Sequence, residues 1–292
     1  VGKRNLQQID ARQPNPSLEP QIVGIEELEP ATHGSFICYP GIDLRSFPQR
    51  KKQLEKIGAK DLILEGSSKI GKFGVLGKGC VSIVVKARLE GYRDAVALKI
   101  RRVDANRPDM LRDFELQKFA NSFGVGPEAI NASKDLFAME YVDSTKISRW
   151  LQDLRSRASK VYTRALIKDM LEQCYLLDIN KIDHGELSNP SKHILIRKES
   201  AQPKTVVIDF ESASMVRQPA NLTSVAQFLF MSGRHSDKIR KIVEPSHSLG
   251  PKRETRRRLG SFRRSFIPLL RDYKANPERK LFEKILAHVN CL

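Results

Sequence analysis

The sequence predicts an α+β chain with two lobes, a β-rich half followed by a helical half, with the boundary near Asp143. Three observations predict it. Between residues 71 and 142, short apolar runs alternate with glycine and polar turns, the signature of strands. From 159 to 178, Val161, Tyr162, Ala165, Leu166, Met170, Cys174 and Leu177 recur at three- and four-residue steps, the period of a helix. The length of 292 residues, at roughly 150 per domain, gives room for one large or two ordinary domains.

Taken in order, residues 1–35 read as weakly ordered, with Pro14, Pro16, Pro20 and Pro30 among polar residues. A short helix is expected over 49–57. Strands follow in GVLGKGCVSIVVKARL and, past a turn at 90–94, in AVALKI. The segment 109–121 reads as a helix with Met110, Phe114 and Lys118 on one stripe, and LFAMEYV at 136–142 as a further strand. Beyond the long helix, HILI (193–196) and TVVID (205–209) flank a polar turn and read as a hairpin. The rest is helical, broken near 245–251 and at Pro277. Residues 1–70 are then an extension that braces or precedes a β-rich lobe at 71–142, and 143–292 form the helical lobe.

Composition sets outer limits. Apolar residues make up 40% of the chain, too many for a disordered one. No run approaches the roughly 18 apolar residues of a membrane span, so no membrane partner is expected. The four cysteines are far apart, none at a metal-like spacing, which reads as reduced thiols in a cytoplasmic protein. The net charge of +17 points to polyanionic partners. Most of it lies at one end: residues 232–292 hold 16 basic and 6 acidic residues. Within them, Arg256, Arg257 and Arg258 lie on a helix whose Leu259, Phe262, Phe266 and Leu269 share a side. That arrangement suits an RNA or ribonucleoprotein contact made mainly to phosphates.

Four segments carry candidate chemistry. Leu76-Gly77-Lys78-Gly79-Cys80-Val81-Ser82-Ile83-Val84 fits a G-x-G-x-x-G-x-V loop with Ser82 in the third glycine position. Glycines there let backbone amides approach phosphate, and a strand follows rather than the helix of a dinucleotide fold. In Val96-Ala97-Leu98-Lys99, alternation puts Ala97 and Lys99 on one face. A small residue there leaves room for a flat base and the ammonium meets phosphate. A helix carboxylate should hold it: Glu115 is the natural partner and Asp113 the alternative. The strand Phe137–Val142 offers Met139 at the rear of a pocket and the backbone of Glu140 and Val142 to an adenine edge. Finally, His184-Gly185-Glu186-Leu187 and Ile208-Asp209-Phe210-Glu211 place Glu186 and Asp209 at nearby ends of one short sheet. Two carboxylates there suit phosphoryl transfer, one orienting a hydroxyl and one holding a metal.

In this order, over about residues 74–230, the motifs resemble the protein-kinase-like superfamily. The chain looks most like archaeal predicted Ser/Thr protein kinases with an HxELS-type loop, and more distantly like RIO-type and KEOPS-associated kinases. The resemblance implies a two-lobed kinase-like fold with a reduced helical lobe, and an atypical serine/threonine kinase using ATP and Mg²⁺ on a protein substrate. Lys99 takes the place of the phosphate-binding lysine, Glu186 that of the catalytic aspartate and Asp209 that of the metal-binding aspartate. The chain departs from the kinase pattern after Glu186, where the loop is two residues longer and His193 stands in the place of the metal-binding asparagine. Asn189 or His193 then completes the metal site, with Mn²⁺ favoured by an imidazole ligand; alternatively Lys192 meets the γ-phosphate. A different class remains open: a catalytically silent or ATPase-type module that binds RNA through its basic end.

Overall fold

The computed structural model describes residues 20–41, 44–154, 160–198, 202–231, 233–243 and 252–290. In chain order the first half comprises β1 (Gln21–Gly24), α1 (Pro30–Ile37), α2 (Phe47–Lys56), β2 (Ala59–Leu64), β3 (Ser68–Ile70), β4 (Phe73–Val75), β5 (Gly77–Lys78), β6 (Ser82–Leu89), β7 (Val96–Arg101), α3 (Leu111–Asn121), β8 (Ala129–Ala132) and β9 (Leu136–Glu140). Seven of these strands form one antiparallel sheet in the order β1-β2-β6-β7-β9-β8, with β5 also paired to β6.

Strand β6 shows why the sheet forms. Its Ile83, Val85, Ala87 and Leu89 alternate with polar or half-buried neighbours, and the apolar set is buried on one face. Strand β7 covers one edge of β6, so β2 and β5 share the other. Between them the chain leaves the edge for the β3–β4 hairpin. Gly66 allows this: its φ is 131° and a Cβ there would sit 2.2 Å from the Val75 carbonyl oxygen.

Helices α1 and α2 cover the face that β6 buries. Phe36, Ile37, Cys38, Phe47 and Leu54 pack with Leu62, Val85, Leu98 and Leu136, and each such side chain contributes about 1.5–3 kcal/mol. This corrects the expectation for the start of the chain, since residues 21–24 are a strand and 30–35 lie in a helix. Pro30 is no obstacle because it stands in the first turn of α1, where its missing N–H has no helical partner. Residues 1–19 of that expectation lie outside the described residues.

The second half comprises β10 (Ser144–Lys146), α4 (Ile147–Asp153), α5 (Lys160–Ile179), β11 (Ile194–Arg197), β12 (Thr205–Val207), α6 (Asn221–Met231), α7 (Gly233–Val243), α8 (Lys252–Ala275) and α9 (Arg279–His288). Strands β10, β11 and β12 make a small antiparallel sheet. A second apolar core surrounds α5 through Leu166, Ile167, Met170, Leu171, Cys174 and Leu177. Val161 and Tyr162 of the expected stripe are exposed instead, because the first turn of α5 runs beyond that core.

Buried Asp178 at the end of α5 ties this half together. It accepts hydrogen bonds from the backbone N–H groups of Asn221 and Leu222, from the Asn221 amide and from Tyr273 of α8, and so caps α6. Pro277 separates α8 from α9, whereas 245–251 lie outside the described residues. No helix among the described residues is long and apolar enough to cross a membrane.

Candidate functional site

The glycine segment is a tight hairpin at the sheet edge. Leu76 N–H donates to the Val84 carbonyl at 2.8 Å, and Gly79 N–H to the Ser82 carbonyl at 2.8 Å. Arg102 anchors the tip by donating to the Gly79 carbonyl at 3.0 Å, while its guanidinium lies 4.9 Å from the Tyr39 ring. Lys78 reaches the same ring at 5.8 Å. Beneath the hairpin, Ala97, Met110, Phe137 and Met139 form a small apolar cluster of their own, joined by the partly buried Leu76 and Val84. Val142 is buried. Glu140 donates its N–H to the Glu128 carbonyl, and its carboxylate pairs with Arg197 of β11 at 2.6 Å.

Lys99 comes off β7 on the cluster's side and is 4% exposed. Its Nζ lies 2.7 Å from Asp209 Oδ1 and 3.9 Å from Asp113 Oδ2. The helix partner of Lys99 is therefore Asp113, and this corrects the expectation for Glu115. Helix α3 buries the face carrying Asp113 and Gln117, so Glu115, two residues round, is exposed. Burial opposes the charge on Lys99, but Asp209 and Asp113 outweigh it and hold its pKa above the usual value. Asp209 is the mirror case, kept low by Lys99 despite its own burial. In Asp113 burial prevails over the longer contact with Lys99, and its carboxyl is raised.

Asp209 has φ 75°, a left-handed conformation, and begins the 3₁₀ turn Phe210–Ser212. A non-glycine residue there costs about 1–2 kcal/mol, and the fold holds it by burying Phe210. The same turn carries Glu211 and Ser212, which the sequence reading did not single out. Their only signal was position, directly after Asp209.

Glu186 stands opposite. One carboxylate oxygen accepts from Ser212 Oγ at 2.5 Å, and the other lies 2.9 Å from His193 Nε2. The second nitrogen of His193, Nδ1, is buried without a hydrogen-bond partner and lies 3.9 Å from Asp209 Oδ2. The His193 ring thus lies between the two carboxylates, paired with Glu186 and open toward Asp209. His184 is structural. Its Nε2 meets the Ile208 carbonyl at 3.0 Å, its N–H donates to Asn221, and burial pushes its pKa down to about 4. Gly185 leaves space next to Glu186 that a Cβ would fill, 2.6 Å from an Arg217 nitrogen and 2.7 Å from the Ser212 carbonyl.

Among the described residues there is no cluster of three potential ligands. Asp209 and His193 converge, and the partnerless Nδ1 between them fits a cation ligand. Asn189 is exposed and joins the site through its backbone N–H, which donates to the Glu186 carbonyl. Lys192 is exposed as well. Both face outward because His193, at the end of the longer loop, fills the interior position. Arg256, Arg257 and Arg258 fall in α8, but their side chains lie outside the described residues.

Burial pushes Glu211 up to about 7, with the charge of Asp209 adding to the rise and Lys99 opposing it. A carboxyl raised on folding binds its proton more tightly in the native state, so its contribution to stability falls as pH rises from the ordinary glutamate value toward 7. Glu211→Gln removes that decline. The melting temperature of the variant relative to wild type should be higher at about pH 8 than at about pH 5. An equal difference at both pH values would show that Glu211 ionises as freely as in the unfolded chain.

No protein-family model matches the chain. Among curated proteins, the uncharacterized protein MJ1211 of Methanocaldococcus jannaschii is 31% identical over 106 residues, which make up 35% of this chain and 81% of that protein.

Proposed function

The chain belongs to the same family as that archaeal protein, whose name assigns no activity, and we propose from the site that it is an ATP-dependent phosphotransferase, an atypical serine/threonine kinase with a two-lobed kinase-like arrangement. One observation carries this reading. Under a glycine hairpin and beside an apolar cluster, a buried lysine pairs with Asp209, and across from them stands a second carboxylate, Glu186. Adenine would lie against Ala97 and Met139. Lys99 and the amides of 77–82 would take the phosphates.

Asp209 and His193 are the groups placed to hold a divalent cation, Mg²⁺ or Mn²⁺, which when bound offsets the charge of the phosphates. Glu186, half exposed and fixed through both oxygens, would orient the accepting hydroxyl and take its proton. Catalysis in such a site would be mostly positioning and charge, to which Lys99, Asp209 and Glu186 would contribute.

The test is transfer from γ-labelled ATP in Mg²⁺ or Mn²⁺. Wild type should transfer label or release phosphate, and Asp209→Asn should lower the rate about 100-fold or more. Equal turnover by the two proteins would overturn the assignment. ATP binding without turnover would favour a silent module acting through its basic end.

A further inference from the structure

We propose that Ser212 is itself a phosphoryl acceptor, so that the chain phosphorylates its own site in cis; this rests on the phosphotransferase reading above. A nucleophile and its base should lie within hydrogen-bond reach before reaction. Ser212 Oγ donates to Glu186 Oε1 at 2.5 Å, so this hydroxyl already stands where an acceptor hydroxyl is required. Nucleophile and cation ligand share one rigid element: Asp209 begins the 3₁₀ turn that Ser212 ends, and Phe210 between them is 1% exposed. Ser212 itself is only partly buried, so a phosphate entering the cleft can reach it.

The step balances as an ordinary transfer from ATP. Glu186 removes the proton from Ser212 Oγ, the Oγ–P bond forms, the bond from the γ-phosphorus to the bridging oxygen breaks, and ADP leaves. The product has partners at hand. Arg217 Nη2 donates to the Ser212 carbonyl at 2.6 Å, and Arg112 reaches the next carbonyl, that of Ala213, at 3.5 Å. Exchanging these carbonyl contacts, the guanidinium groups would favour a phosphoserine through charge-assisted hydrogen bonds, with Arg217 already oriented by its pair with Asp183 at 2.5 Å. Its two or so negative charges would also stand against Glu186, so the modified site would change its competence toward any second acceptor.

The experiment is phosphosite mapping by mass spectrometry after the full chain is incubated with ATP and Mg²⁺, with ADP production and binding of a fluorescent ATP analogue followed separately. The expected result is one phosphate on Ser212, formed at a rate that does not change when the protein is diluted. Ser212→Thr should move the modification to threonine at the same position, and Ser212→Ala should remove it. Glu186→Gln, which lacks the base, should slow self-labelling about 100-fold or more. ADP production with no phosphate on Ser212, or labelling that persists in Ser212→Ala, overturns the proposal and leaves the phosphotransferase reading standing. Absence of both ATP binding and ADP production overturns the two together.

Discussion

Replacing Lys99 by methionine should reduce ATP turnover about 100- to 1000-fold and also destabilise the fold by about 3–5 kcal/mol at neutral pH. The two losses have separate origins. Methionine keeps the length of the side chain and its fit beside the apolar cluster, but it removes the buried cation proposed to meet phosphate. It also takes from buried Asp209 its closest cation, at 2.7 Å, and from Asp113 one of two, since Asp113 keeps Arg107 at 3.3 Å. The pH dependence follows from the directions of the shifts. The raised Lys99 gives stability that is complete below the ordinary lysine pKa and is lost as pH rises through the raised value. The lowered Asp209 gives stability present above the ordinary aspartate pKa and lost as pH falls through the lowered one. Without Lys99 the depression of Asp209 is relieved, so the variant should recover stability relative to wild type as pH falls toward the carboxylate range. A double variant, Lys99→Met with Asp209→Asn, should regain much of the lost stability and none of the turnover. If Lys99→Met melts like wild type across this range, the lysine is not the buried counter-ion the geometry describes.

The positions around Lys99 were readable because strand alternation is a local rule. Period two along 95–100 was enough to put Ala97 and Lys99 on one face and Val96, Leu98 and Ile100 on the other, and the structure divides them between two apolar clusters in that way. The hairpin over 193–209 and the long helix were legible for the same reason. Helix α3 was legible in its span but not in the face it buries, because that face carries Asp113 and Gln117. Hydrophobic periodicity sees only apolar side chains, whereas these two are buried by partners distant in sequence: Lys99 on β7 and, for the Gln117 amide, the Pro127 carbonyl. The contacts that His193, already a metal candidate, and Ser212 make with Glu186 escaped for a related reason. Neither residue type announces that it will close on Glu186. That contact exists only once β11, β12 and the turn after them bring residues 186, 193 and 212 together.

The helix expected over 49–57 is α2, whereas β1, β2 and α1 were hidden, because a strand is defined by its neighbour and β1 and β2 join the sheet only through β6. Their attachment also rests on one buried cation, which gives the largest stability effect expected outside the site. Arg50 of α2 is 1% exposed. It donates to the carbonyls of Ile37 and Arg101 and pairs with Asp135 at 3.4 Å, and Asp135 in turn holds Arg101 at 2.6 Å and Gln53 at 2.8 Å. Arg101 ends β7, two residues beyond Lys99, so the arginine fixes the end of the strand that carries the lysine. Arg50→Met strands one buried and one half-buried carbonyl, at up to about 1–3 kcal/mol each, and removes one cation from a buried carboxylate. The expected cost in chemical denaturation is about 3–5 kcal/mol. As the control, Arg88→Met breaks an ion pair whose arginine is 51% exposed and should cost less than about 1 kcal/mol. Were the two variants equally stable, α2 would be a passenger on the sheet. The expected gap instead makes residues 20–64 part of the same cooperative unit as Lys99, so that weakening this brace also loosens the proposed nucleotide site.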